Sequence, residues 1–246
     1  MKRKSNFGGR KQRRIKFSYP RGNFPRLCLI GNSNVGKSSL TKSFLSNPKF
    51  YTGKIGKTPG STIKLNLIDD KNLPYQIVDL PGFGKMIRLQ KNKEIKIQEQ
   101  ILEYIEIDQR NIFLCLEVVN MERLEDELEK YYFKRRDTIP LTIEFLLFIL
   151  EQKVPCVLVL NKMDKLNIYD KKRVMKKLKR VLRAFSISIR GNDADYGLLS
   201  IVQTSMKTKE GLSELKKIIQ NRVRSLDYSN YDARNELYKK KPVDKK

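Results

Sequence analysis

The sequence predicts an α/β fold of three layers, a mostly parallel central sheet with helices on both faces. Two observations carry this expectation. Short, continuously apolar runs alternate with longer stretches of helical periodicity between residues 25 and 224, as strands buried on both faces require. Four polar or glycine-bearing loops also follow directly on such runs, and open parallel sheets gather their ligands at the C-terminal strand ends.

Taken in order, Arg26–Ile30 reads as a strand ending in a glycine loop, and Lys37–Ser46 as a helix. Ile63–Ile68 and Tyr75–Val78 read as strands joined by a turn over Lys71–Pro74. Ile97, Ile101, Leu102 and Ile105 share one helical face, and Ile112–Val119 is a strand. Leu141–Leu150 is predicted helical with Pro140 in its first turn, followed by a strand over Val157–Leu160. Val174, Leu178, Val181 and Leu182 form a helix stripe, and Leu199–Val202 a strand. Leu212, Leu215, Ile218, Ile219 and Val223 mark a final amphipathic helix. Residues 1–24 are expected to form a flexible basic arm, 25–224 one domain, and 225–246 a basic tail.

Among 246 residues, 52 Lys and Arg face 27 acids, a net charge of +25, while 39% hydrophobic residues suffice for a core. The charge is unevenly placed. Residues 1–16 hold eight bases and no acid, 170–224 fifteen bases and five acids, and 94–137 twelve acids and seven bases. Such clustering favours a polyanionic partner, nucleic acid or an anionic membrane surface. Cys28, Cys115 and Cys156 all fall in apolar runs, which suits reduced, packed thiols rather than a disulfide framework. The apolar stretch Phe145–Leu150 is far shorter than the ~20 residues of a membrane span. No apolar segment follows the basic N-terminus as in a secretory signal. A cytoplasmic, monomeric protein is expected.

The chemistry is carried by loops. Gly31, Asn32, Ser33, Asn34, Val35, Gly36, Lys37 and Ser38, with Ser39 after them, match the phosphate loop GxxxxGK[ST] between a strand and a helix. Backbone N–H groups there curl around a phosphate at a helix N-terminus. Lys37 would reach the β and γ oxygens, and the Ser38 hydroxyl would ligate Mg²⁺. Asp79, Leu80, Pro81 and Gly82 form DxxG at a strand end. Asp79 would hold a Mg²⁺-bound water, while the Gly82 N–H meets the γ-phosphate. Gly84 adds freedom to that segment.

Asn161, Lys162, Met163 and Asp164 form NKxD, which selects the base. The Asp164 carboxylate can accept both N1–H and N2–H of guanine, whereas adenine would leave it unpaired. Asn161 would brace the loop, and the stem of Lys162 would lie along the base. Thr204, Ser205, Met206 and Lys207 fit the remaining guanine loop, with a backbone N–H near Met206 meeting O6. Between the first two motifs, Lys57–Thr62 reads as a mobile turn whose Thr62, or failing that Thr58, would close over Mg²⁺ and the γ-phosphate. The uninterrupted motif order makes the fold a P-loop NTPase G domain, without circular permutation, that binds GTP or GDP. Lys37, Thr62 and Gly82 are the expected catalytic groups.

GNSNVGKSS, KTPGST, VDLPGFG and the run from Lys134 to Asp164 resemble the EngB family of GTPases, and its archaeal-type members most closely, over roughly residues 25–224. After the strand 112–119 the family usually carries Asp and a short loop, where this chain runs into the acidic stretch MERLEDELEK. The resemblance implies a role in large-subunit ribosome assembly, or in cell division and septation by GTP-gated contact. A ribosomal particle or rRNA would be met by the basic arm and by Lys172, Lys176, Lys179 and Arg183 along one helix. A tRNA-modifying GTPase would need a further domain for which no region remains. Phe83 stands where Ras-like enzymes carry a water-orienting glutamine, so slow intrinsic hydrolysis is expected. Related GTPases use the loop asparagine to hold K⁺, which would make Asn34 a K⁺ ligand.

Overall fold

The computed structural model describes residues 18–51, 65–83, 91–135, 138–189 and 199–232. Thr58, Thr62 and Gly84, with most of the basic arm and tail, lie outside the described residues.

The apolar runs become strands β1 (Arg26–Gly31), β2 (Asn66–Ile68), β3 (Gln76–Asp79), β4 (Ile112–Asn120), β5 (Cys156–Asn161) and β6 (Leu199–Gln203). They form one sheet in the order β2-β3-β1-β4-β5-β6. Five strands run parallel, and β2 lies antiparallel to β3, with Asn66 opposite Asp79. The turn over residues 71–74 is too short for a crossover, so this pair can only be antiparallel.

Helices α1 (Lys37–Phe44), α2 (Lys91–Asp108), α3 (Met121–Leu128), α4 (Leu141–Glu151), α5 (Ile168–Ala184) and α6 (Leu212–Arg224) connect the strands. Two cores show the layering. Leu27 and Leu29 of β1 pack with Leu40 of α1 and with Leu215 and Ile219 of α6. Cys28 and Ile30 point the other way, toward Ile101 of α2, Leu124 of α3, Leu146 of α4 and Leu178 of α5. β1, β3, β4 and β5 are buried along their whole length, as strands covered on both faces require, whereas the edge strands β2 and β6 are partly exposed. The three cysteines line up in register across β1, β4 and β5, buried and unbonded.

Four elements differ from expectation. Of the strand expected over Ile63–Ile68, the described part runs Asn66–Ile68, with Leu65 outside it. The first helix stops at Phe44 because the Ser46 N–H and hydroxyl turn away to donate to Asp70 Oδ2, at 2.8 and 2.7 Å. Pro140 caps α4 from outside, its carbonyl accepting from the Ile143 and Glu144 N–H groups. The acidic stretch is helical: Asn120 accepts from the Glu122 N–H as N-cap, and Met121, Leu124 and Leu128 are buried. Its i, i+3, i+7 apolar positions carry that helix, but seven charges among its letters obscure the stripe.

At the sheet edge where β1 begins, Arg26 is fully buried and paired with Asp108 of α2. Gln76 Oε1 and the Arg21 and Gly22 carbonyls accept its remaining N–H groups. Tyr104 donates to the second Asp108 oxygen at 2.7 Å. A buried ion pair holds only when its leftover donors and acceptors are satisfied in this way.

Candidate functional site

All four loops meet along the C-terminal ends of β1, β3, β5 and β6, where the parallel strands present their free carbonyl ends. After β1 the chain turns through Asn34 at φ 62° and Gly36 at φ 105° before entering α1. A Cβ at Gly36 would stand 2.2 Å from Asn161 Nδ2, so only glycine lets the base loop approach this turn. Lys37 is buried and donates from Nζ to the Gly31 and Asn32 carbonyls at 2.7 and 2.8 Å. Burial lowers its pKa to about 8, partly offset by the Asp79 charge.

Asp79 closes β3 with only 6% of its surface exposed. Burial raises its pKa, opposed first by Lys37 and then by hydrogen bonds from Tyr51 and Ser38. Its Oδ2 accepts from the Tyr51 hydroxyl at 2.8 Å, while Oδ1 is buried without a partner among the described residues. Leu80 and Phe83 turn inward. The Phe83 ring is 2% exposed and stacks on Phe145 of α4 with centroids 4.1 Å apart. Gly82 lies against the phosphate loop: a Cβ there would be 2.5 Å from Ser33 Oγ.

The base loop is braced from three sides. Asn161 Nδ2 donates to the Val35 carbonyl at 2.7 Å, and its Oδ1 accepts from the Thr204 hydroxyl at 3.3 Å. Lys162, at φ 65°, reaches across to donate to the Asn34 carbonyl at 2.6 Å. Ser205 donates from Oγ to Asp164 Oδ1 at 2.6 Å, and that bond holds the exposed carboxyl below its usual pKa. Asp164 is therefore aimed and charged, ready to accept paired N–H donors. Ser205 spends its own N–H on the Glu210 carbonyl, so its contribution here is the hydroxyl, a role that sequence reading missed.

The residues present fit a hard divalent cation. Ser38 and Asp79 supply oxygen donors side by side, and the orphaned Asp79 Oδ1 is the kind of buried acceptor that a bound, hydrated cation satisfies. Thr62 cannot be placed, because it lies outside the described residues. Asn34 is exposed at the rim of the phosphate loop. Tyr51 went unnoticed in the sequence, where nothing but its position shortly before KTPGST distinguishes it.

The description "50S ribosome-binding GTPase" matches residues 26–162. The chain is similar to a probable GTP-binding protein EngB of Methanococcus aeolicus, 32% identical over 154 residues, which make up 63% of this chain and 64% of that protein. The matched stretch thus spans less than two thirds of that relative's own length. A protein of the same description from Methanopyrus kandleri is 29% identical over 207 residues, 84% of this chain and 96% of its own. A crystal structure of a probable GTP-binding protein engB superposes with a TM-score of 0.65 at 28% identity, covering 82% of this chain and all of that one.

Proposed function

Because the chain belongs to the 50S ribosome-binding GTPase family and is of the EngB type, we propose that it hydrolyses GTP slowly and works as a GTP-gated switch on an RNA-rich particle, the large ribosomal subunit during its assembly. It acts as a monomer in the cytoplasm. The observation that carries this reading is the convergence of phosphate loop, DxxG, NKxD and TSxK at one sheet edge, with Asp164 oriented by Ser205.

Each residue has a task in that reading. The backbone N–H groups of Asn32–Lys37 and the end of α1 surround the phosphates, and Lys37 leaves the Gly31 and Asn32 carbonyls to pair with the β and γ oxygens. Ser38 and Asp79 would hold Mg²⁺, which would supply positive charge beside the phosphate oxygens. The Gly82 N–H, already beside Ser33, serves the γ-phosphate. Thr62, or failing that Thr58, would close over it. Phe83 is committed to the core and offers no hydrogen bond, so water must be oriented by backbone groups, by K⁺ held at Asn34, or by the particle. Slow hydrolysis by the free protein follows.

The polyanionic partner is supported by the surface of α5. Glu125 pairs with Arg173 at 2.8 Å and Lys177 at 2.6 Å, which neutralises that flank. Lys172, Lys176, Lys179 and Arg183 are exposed, with no ion pair among the described residues. The last three line a groove of about 680 Å³ beside Phe133, over whose ring Arg180 sits at 5.5 Å. Cations around an apolar floor suit RNA phosphates and an unstacked base.

Co-sedimentation with ribosomal particles tests the reading. Wild-type protein is expected to bind one subunit with a non-hydrolysable GTP analogue and to leave with GDP. Asp164→Asn should transfer that dependence to the xanthine analogue, because an amide can pair with the carbonyl that xanthine presents. Binding that ignores the nucleotide and vanishes in modest salt would leave only a charge effect and refute the switch.

A further inference from the structure

In a molecule of net charge +25, the neighbouring helices α2 and α4 present an acidic surface. On the outer side of α2, Glu99, Glu103 and Glu106 are exposed, with Lys96 the exposed base among its described side chains. On α4, Glu144 and Glu151 stand two turns apart on one face. Both line a groove of about 310 Å³ whose apolar part is made by Leu102, Leu147 and Phe148. None of the five carboxylates has an ion pair among the described residues. Ile107 of α2 is 61% exposed beside them. Gln98 in the groove donates to the Phe83 carbonyl at 3.0 Å, so this surface adjoins the segment that follows DxxG.

The chain itself supplies a segment of matching chemistry. Ser18 is the first described residue, and the Tyr19 ring packs on Tyr104 of α2 with centroids 5.9 Å apart. Tyr104 and Ile107 are i, i+3 neighbours on the helix, so the chain before Tyr19 departs next to the exposed Ile107 side chain. Residues 1–17 carry eight bases and no acid. Ile15 and Phe17 continue the alternate spacing of Tyr19, the pattern that puts apolar side chains on one face of an extended segment. At about 100° per residue, Tyr104 and Leu102 stand on opposite sides of α2, with the three glutamates between them. A helix is about 10–12 Å across, so roughly five extended residues cross it. Counting back from Ser18, those are Arg13, Arg14, Ile15, Lys16 and Phe17, and Arg10 and Lys11 come next to meet the groove and its two glutamates.

We propose that residues 1–17 dock on their own domain, across the acidic face of α2 and into the α2–α4 groove, and leave it when a polyanion takes their bases. The same cations cannot pair with these carboxylates and with RNA phosphates at once. The inference goes beyond the nucleotide reading and does not depend on it.

The three native cysteines are buried, so a cysteine placed on the surface can be labelled selectively. Full-length Ile107→Cys is treated with a maleimide dye, with Tyr169→Cys on exposed α5 as the reference. Each is compared with the same chain carrying Arg13→Glu, Arg14→Glu and Lys16→Glu. Labelling follows the fraction of molecules whose arm is off the helix, so reversal is expected to speed it about ten-fold in Ile107→Cys. In Tyr169→Cys the rate should stay as it was. Adding Glu99→Lys and Glu103→Lys to the reversed arm should restore the slow rate. Both changes act on thiol ionisation in the opposite sense, so local charge alone cannot produce this pattern. Excess oligouridylate should speed labelling of Ile107→Cys with the native arm. Equal rates with native and reversed arms, a swap that restores nothing, or slow labelling that survives excess RNA overturns the proposal. Protection that grows with protein concentration also overturns it, by assigning the surface to a second copy of the chain.

Discussion

Glu117 is fully buried in the middle of β4, and neither of its carboxylate oxygens has a partner among the described residues. Burial, then the nearby Cys156 and Glu127, pushes its pKa well above the usual carboxylate range, so it is held as the neutral acid. An unsatisfied buried polar group costs about 1–3 kcal/mol. Replacing Glu117 with Leu is therefore expected to stabilise the protein by about that amount, read from urea melts. The gain should grow with pH. Below the ordinary carboxylate pKa both folded and unfolded chains carry the proton; above it the unfolded chain ionises while the folded one resists, so wild type loses stability as pH rises toward its folded pKa. A gain that stays constant between pH 4 and pH 8 would contradict the assignment. Arg26 shows the other solution, a buried charge with every neighbour enlisted. Neither residue is legible as exceptional in the sequence. Both stand inside apolar runs that read correctly as strands, and no local pattern says what lies opposite.

At the scale of elements, α3 and α5 divide the charge of the molecule. The stripe of α5 was legible from the spacing of Val174, Leu178, Val181 and Leu182, all of which are buried. The ridge of Lys172, Lys176, Lys179 and Arg183 on its outer side was legible for the same reason. Hidden was the helix α3, whose Glu125 takes its proton donors from residues 48 and 52 positions away and is driven to a pKa of about 2, mainly by the Arg173 hydrogen bond. The acidic run that looked like a departure neutralises one flank of the basic helix and leaves the other free. Binding of single-stranded RNA, measured against salt, separates the paired cations of the groove from the unpaired ones. Alanine at Lys176, Lys179 or Arg183 should each reduce the slope of log K against log salt by about 0.7. Alanine at Arg173, already paired with Glu125 and Asp170, should change it by less than half as much. An equal effect at Arg173, which lines the same groove, would show that its pairing with Glu125 does not withdraw it from the contact.

Across the whole molecule, the pocket exists only in the folded state, because its loops come from β1, β3, β5 and β6 together. Ligand binding must therefore add to stability. At a hundredfold its dissociation constant, GDP should contribute about 2.7 kcal/mol, a rise in melting midpoint of roughly 5–10 °C for a chain of this size. ATP at the same concentration should leave the midpoint where it was, since adenine offers Asp164 no donor pair. A matching rise with ATP would overturn the guanine assignment.

The sequence by itself determined the three-layer architecture, the place of each strand and the motifs of the loops that follow them. Those features are local. A glycine turn before a helix, or an apolar run of five residues, is built from neighbours along the chain. Only the tertiary structure decided which groups those residues face: Tyr51 on Asp79 across 28 positions, Asn161 on Val35 across 126, Phe83 turned into the core against Phe145. Hydrogen bonds and ring contacts act over a few ångströms of space, and chain folding brings such groups together without leaving a periodic trace in the order of residues.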